Sequence, residues 1–273
     1  EKLMTDGPPE ELEQTEITQP AVFLANHIFY RYLTGAGVTA EYFAGHSLGE
    51  YNALVAGERS TFEDLLHVVL QRGKAMAEAA GQVDGGMAAV LKMDPDPLRE
   101  LCEEVSSDDS IDGTVEVALF NSPGQIVVSG SSQAIDAVVD RAKEQGALKA
   151  VPLDVSGPWH SQYMQPAENP LSDALKSVDW NLSGPPVITN VTADPLDGSP
   201  NENLVQQLTQ PVQWIASIEY LLDEGVDEFV EVGPGDALEG MINRIVRGTD
   251  HDPDVYTTDT LEETKSVVEE LKQ

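Results

Sequence analysis

Cysteine occurs once in the 273 residues, as Cys102, so no disulfide can form within the chain. No Cys/His cluster has metal-ligand spacing either, so a reducing cytoplasm is expected and a zinc or other metal site is not. Cys102 itself reads as inert packing. Basic residues are scarce: 15 Lys and Arg face 48 Asp and Glu, for a net charge of −33 at pH 7. The acidic residues are spread along the chain and not gathered in a tail, which argues against a nucleic-acid partner. Such self-repulsion is screened over about 10 Å at 0.1 M salt and about 3 Å at 1 M, and a salt-loving (halophilic) host is the expectation. No stretch approaches the roughly 18 uninterrupted apolar residues that a membrane helix needs, so no membrane partner is expected. The first residue is Glu and the first fifteen are polar and acid-rich, which reads as a chain starting partway through a larger product.

Apolar content is ordinary at 41%. The length suits one large α/β domain or a domain carrying an insertion. The most informative stretch is Gly45-His46-Ser47-Leu48-Gly49, a G-x-S-x-G pentapeptide. It follows the apolar Tyr42-Phe43-Ala44 and precedes the helix-like Glu50–Ala56, a strand, sharp turn and helix in order. Serine at such a turn projects its hydroxyl from tight backbone, and both flanking glycines are expected to allow the close strand-to-helix approach. The helix N-terminus behind it supplies free N–H groups for an oxyanion, with Leu48 N–H the expected donor.

Thr18 before Gln19-Pro20 predicts a helix start, and Ser60 with Glu63 predicts a capping box before the helix that carries Arg72 inside an apolar run. From residue 86 the pattern changes to strand Met87–Leu91, helix Leu98–Val105, strand Val115–Phe120, strand Ile126–Ser129, helix Ala134–Glu144 and strand Leu148–Leu153. This β-α-β-β-α-β order predicts a ferredoxin-like subdomain over 84–153, inserted into an α/β body made of 1–83 and 154–273. Beyond it, Gly157-Pro158-Trp159-His160-Ser161 places a histidine in a turn-rich segment ahead of a helix, and a nucleophilic serine needs such a base. His27, His67 and His251 lie in helix or tail contexts, and the side chain of His46, adjoining Ser47, is expected to point elsewhere. Gly233-Pro234-Gly235 after the predicted strand Glu228–Val232 could cradle a phosphate, with a plain tight turn the simpler reading.

Taken together, several strings resemble the malonyl-CoA:acyl-carrier-protein transacylase family and the related acyltransferase domains of polyketide synthases. They are Thr18-Gln19-Pro20-Ala21, Gly45 to Tyr51, Gln71-Arg72-Gly73, Phe120 to Gln125, Gly157 to Ser161, Pro211-Val212-Gln213-Trp214 and Glu231 to Gly235. The resemblance covers nearly the whole chain and implies a hydrolase-like α/β fold with a parallel-sheet body and an inserted ferredoxin-like subdomain. It implies Ser47 as nucleophile, His160 as general base, the Gln213 backbone carbonyl as the group that orients the imidazole, and Leu48 at the oxyanion. It further implies Arg72 as the clamp on a substrate carboxylate, a task that suits the planar guanidinium fork, with His46 and Asn121 also binding substrate. The implied reaction passes malonyl from malonyl-CoA to the phosphopantetheine thiol of acyl carrier protein by a ping-pong route, in fatty-acid synthesis, with no cofactor and from a monomer. The alternatives are an acyltransferase serving a polyketide synthase, a serine hydrolase passing the acyl group to water, and an inactive fragment. Members of the family normally begin with a strand and a Gly-Gln-Gly loop that supplies a second oxyanion donor. Residues 1–44 contain nothing like it, so a missing donor and unpaired sheet groups are expected. Trp159, where Phe is commoner, is expected to narrow the acyl pocket if it points inward.

Overall fold

The computed structural model describes residues 7–272. A single turn at Pro9–Leu12 leads into helix α1 (Thr15–Gly35). The helix starts before Thr18, whose hydroxyl donates back to the Gln14 carbonyl (3.0 Å) and does not cap an N-terminus. Strand β1 (Phe43–Ala44) and helix α2 (Gly49–Ala56) flank the pentapeptide. Helix α3 (Phe62–Ala80) is capped by Thr61, whose Oγ1 accepts the Asp64 N–H at 3.1 Å. The cap expected at Ser60 therefore falls one residue later. Along α3 the buried residues Leu65, Val68, Val69, Arg72 and Met76 recur at helical spacing, so Arg72 lies on the face turned into the body.

The insert follows: β2 (Gly85–Leu91), α4 (Pro95–Ser106), β3 (Val115–Ser122), β4 (Gln125–Ser131), α5 (Ser132–Glu144) and β5 (Lys149–Pro152). Its strands form one antiparallel sheet in the order β3-β4-β2-β5, the arrangement of a ferredoxin-like unit. Leu98, Leu101, Cys102, Ile126, Val128 and Val138 fill the space between that sheet and its helices. Burial pushes the Cys102 thiol up to about 12, consistent with inert packing.

The body resumes with a 3₁₀ turn at Gln162–Met164, α6 (Gln165–Leu175), β6 (Val187–Ile188), α7 (Asn201–Gln206), α8 (Trp214–Asp223), β7 (Glu228–Glu231), α9 (Ala237–Ile245), β8 (Asp254–Thr257) and α10 (Leu261–Glu270). Its strands are parallel, as expected, and within the described residues they form two separate pairs, β1-β6 and β7-β8. Phe23, Tyr51, Leu54, Leu65, Met164 and Leu171 build the main core between α1, α2, α3 and α6. Body and insert are stitched at β3, where Phe120 N–H donates to Val212 O (3.0 Å) and Val212 N–H to Ala118 O (2.9 Å). That seam carries the next residue, Asn121, toward the pentapeptide.

Candidate active site

Local backbone geometry aims the serine. Ser47 has a φ of 51°, in the left-handed region that a residue with a side chain occupies only when its surroundings enforce it. Enforcement comes from two sides. A Cβ on Gly45 would lie 2.0 Å from the Gly49 carbonyl oxygen, so only glycine lets strand and helix close this tightly. At Gly49 a Cβ would meet nothing within 4 Å, so the second glycine, expected to serve the same approach, is not required by space. The Asn190 side chain then bridges the turn, accepting the Ser47 N–H (2.6 Å) and donating to Gly45 O (2.6 Å).

His160 reaches the serine from the segment after β5. It too has a positive φ, 57°, and its Nε2 lies 2.8 Å from Ser47 Oγ. Its Nδ1 lies 2.7 Å from the Gln207 carbonyl oxygen. A carbonyl only accepts, which assigns the proton to Nδ1 and leaves Nε2 to take the one from Ser47. Burial, aided by the nearby Arg72 charge, pulls the imidazole pKa down to about 3, so the ring is neutral at neutral pH.

The orienting carbonyl is a correction: it belongs to Gln207 and not to Gln213. Gln207 immediately follows the last turn of α7, where carbonyls have no intrahelical partner and are free to accept. Gln213 caps the start of α8, and its carbonyl is taken by the Ser217 N–H (2.9 Å) and hydroxyl (3.0 Å).

Arg72 is buried, 2% exposed, and points at the same serine. Its Nη2 donates to Ser47 Oγ (3.2 Å) and to Gln207 Oε1 (3.0 Å), and its Nη1 to Gln19 Oε1 (2.6 Å). The guanidinium carbon sits 5.4 Å from the centre of the Tyr51 ring. His46 turns away from Ser47: its Nε2 is 2.8 Å from Asn121 Oδ1 and its ring meets Trp214 edge-on at 5.6 Å. Leu48 N–H, at the head of α2, has no acceptor among the described residues and is open to an oxyanion. Trp159 packs at the junction of body and insert against both cores. Gly233-Pro234-Gly235 is a turn whose N–H groups are already engaged, Gly233 with Thr258 Oγ1 (3.0 Å) and Gly235 with Asp259 Oδ1 (2.6 Å), which leaves them unavailable to a phosphate.

Gln207, Asn190, Glu50 and Gln19 complete the site; Gln19 and Glu50 lie in family-like strings but without an assigned role, and Gln207 and Asn190 lie in none. The only hint for Gln207 is its place at a helix end shortly before Pro211.

An activated serine at a left-handed strand-to-helix turn, a histidine oriented by a carbonyl, and an arginine aimed at the serine hydroxyl define a serine acyl-transfer enzyme. The chain belongs to the acyl transferase domain family, whose model matches residues 1–260. Malonyl CoA-acyl carrier protein transacylase of Bacillus subtilis (strain 168) is 39% identical over 247 residues, covering 90% of this chain and 77% of that protein. The protein of the same name from Staphylococcus aureus (strain MSSA476) is 42% identical over 258 residues, covering 93% and 80%. Among solved structures, the transacylase of Coxiella burnetii superposes with a TM-score of 0.92 at 33% identity, covering all of this chain and 84% of that one. A malonyl-transacylase solved in complex with a type II polyketide acyl-carrier protein also gives 0.92 at 33% identity, covering 98% and 85%.

Proposed function

We propose that this acyltransferase moves a malonyl group from malonyl-CoA to the phosphopantetheine thiol of an acyl carrier protein, through a malonyl ester on Ser47. The observation that carries the reading is the placement of Arg72 Nη2 3.2 Å from the Ser47 hydroxyl. A guanidinium so close to the nucleophile binds the free carboxylate of a short dicarboxylic acyl group while its thioester carbonyl meets the serine.

His160 Nε2 takes the Ser47 proton as Oγ attacks the thioester carbon, and Leu48 N–H receives the developing oxyanion. Collapse breaks the carbon–sulfur bond, and His160 Nε2 gives its proton to the departing sulfur, so CoA leaves as the thiol and the imidazole is neutral again. In the second half the carrier thiol gives its proton to His160, its sulfur attacks the ester, and Ser47 Oγ departs with that proton. Each half balances without a cofactor. Ser47 and His160 are the catalytic pair, with Gln207 in place of a triad aspartate; Arg72 selects the substrate, and Asn121 and His46 border it. We place the protein in the cytoplasm as a monomer, in fatty-acid synthesis, with 84–153 as an inserted subdomain and 1–83 with 154–273 as the body. The names of the relatives and the residues around Ser47 support malonyl transfer to a carrier protein.

Incubation with malonyl-CoA should add one malonyl group to the wild type and none to Ser47→Ala by intact mass. Arg72→Ala should lower the ratio of malonyl to acetyl loading by about 10²-fold or more, the size expected for a lost charged contact. An adduct on Ser47→Ala would remove the nucleophile from the scheme. An unchanged ratio would remove the clamp.

A further inference from the structure

Glu50 opens helix α2 three residues after the nucleophile, yet its side chain is buried, 1% exposed. An ionisable group is seldom buried this far without partners. Its Oε2 accepts two hydrogen bonds, from Gln207 Nε2 at 2.6 Å and from the Asn190 backbone N–H at 3.1 Å. These two residues hold the machinery. The Asn190 side chain spans the serine turn, and the Gln207 backbone carbonyl fixes His160. The same Gln207 amide that donates to Glu50 also donates to the Ser47 carbonyl (3.1 Å), while its Oε1 receives Arg72.

We propose that Glu50 is the positioning residue of this site: by accepting from Gln207 and Asn190 through one carboxylate oxygen, it holds the orienting carbonyl and the serine turn in register. Without that acceptor the Gln207 amide is free to rotate, and with it goes the tie between the Ser47 backbone, Arg72 and the carbonyl on His160. Burial pushes the Glu50 carboxyl up to about 7, opposed by the two donors and by Arg72. An acid so costly to bury is retained against a neutral residue only where both its hydrogen bonds are used. The inference rests on Ser47 and His160 acting as nucleophile and base, but not on malonyl as the acyl group.

The test measures Ser47 modification by intact mass in wild type, Glu50→Ala and Glu50→Gln with two reagents. Malonyl-CoA reports the proposed substrate; phenylmethylsulfonyl fluoride sulfonylates an activated serine whatever its natural acyl group. A misplaced dyad costs about 10²-fold in rate. Glu50→Ala should therefore slow both labelling reactions by about 30- to 100-fold, chiefly in the maximal rate and not in half-saturation by malonyl-CoA. Glu50→Gln, which can present one carbonyl oxygen to both donors, should return to within about fivefold of wild type. If Glu50→Ala does not fold, Glu50→Asp, which keeps the charge but withdraws it by one methylene, replaces it. Wild-type labelling rates in Glu50→Ala, or a Glu50→Gln protein as slow as Glu50→Ala, would overturn the proposal. Sulfonylation that follows the expected order while malonyl-CoA labels nothing would uphold Glu50 and refute the choice of acyl group.

Discussion

His160 loses its usual affinity for a proton because the fold buries it away from water beside a guanidinium. The sign of the consequence follows from the direction. With a folded-state value near 3 and an unfolded value near 6.5, the unfolded chain binds more protons, so this residue's contribution to stability is present above pH 6.5 and is lost as pH falls toward 3. Glu50 acts oppositely: raised from 4.5 to about 7, it contributes most below pH 4.5, and that contribution is lost as pH rises through 7. Nitrogen NMR of labelled imidazoles should show His160 neutral, with its proton on Nδ1, at pH 5. A protonation midpoint near 6.5 would contradict the buried, carbonyl-bound geometry. Of the residues to which we assign the chemistry, Ser47 was marked by its pentapeptide and His160 by the need for a base, whereas Arg72 gained its clamp role only from the family resemblance. Gln207 was not legible, because a backbone carbonyl exists at every position and only the fold selects one. Misplacing it on Gln213 followed from a family string that here begins a helix. Glu50 lay inside a recognised string, but nothing in its spacing says that it is buried.

Helices and strands separate into those decided locally and those decided by distant partners. The insert was readable to within a few residues because its strands and amphipathic helices each carry a full period of apolar residues. The body strands β1 and β6 have two residues each and gain their identity from each other, Phe43 opposite Val187 and Ala44 opposite Ile188. Caps slipped by one to a few residues wherever several polar candidates adjoin, as at Ser60-Thr61. The turn between β1 and α2 makes a prediction that the pentapeptide alone does not. Gly45→Ala should destabilise by more than about 3 kcal/mol or prevent folding, since the added carbon meets backbone that cannot yield. Gly49→Ala should stay within about 1 kcal/mol of wild type in urea denaturation, because its position is open. Equal losses at both positions would refute the distinction.

Charge governs the molecule as a whole. With −33 net charges, repulsion at low ionic strength opposes a fold whose net stability is of the order of 5–15 kcal/mol in a typical domain. The melting temperature should climb between roughly 0.1 M and 2 M KCl, and by more than in an uncharged osmolyte at matched water activity. A flat or falling temperature would remove salt adaptation as the meaning of the acidic surface. An acidic carrier protein faces the same repulsion, yet the few cations are not evenly placed. Lys149 and Gln125 flank Leu91 on neighbouring strands, Lys92 follows it, and Arg244 reaches Gln125 Oε1 (3.3 Å). All three cations are exposed, and none is ion-paired among the described residues. The hairpin that carries Gln125 also carries Asn121, the partner of His46. Replacing Lys92, Lys149 and Arg244 by alanine should raise the KM for an acidic carrier by about 10-fold while malonyl-CoA loading changes by less than about twofold. Equal losses in both half-reactions would move docking elsewhere.

The amide of Gln207 that binds the Ser47 carbonyl is 160 positions further along the chain. At a ribosome adding roughly 5–20 residues per second, the serine is made on the order of 10–30 s before the residue that orients its base. By then the insert has all its strands, since its sheet ends at Pro152 and, among the described residues, pairs outside itself only at Val212, five positions after Gln207. The strands of the insert and Ser47 are thus all in the chain before Gln207, whose carbonyl orients His160, has been synthesised.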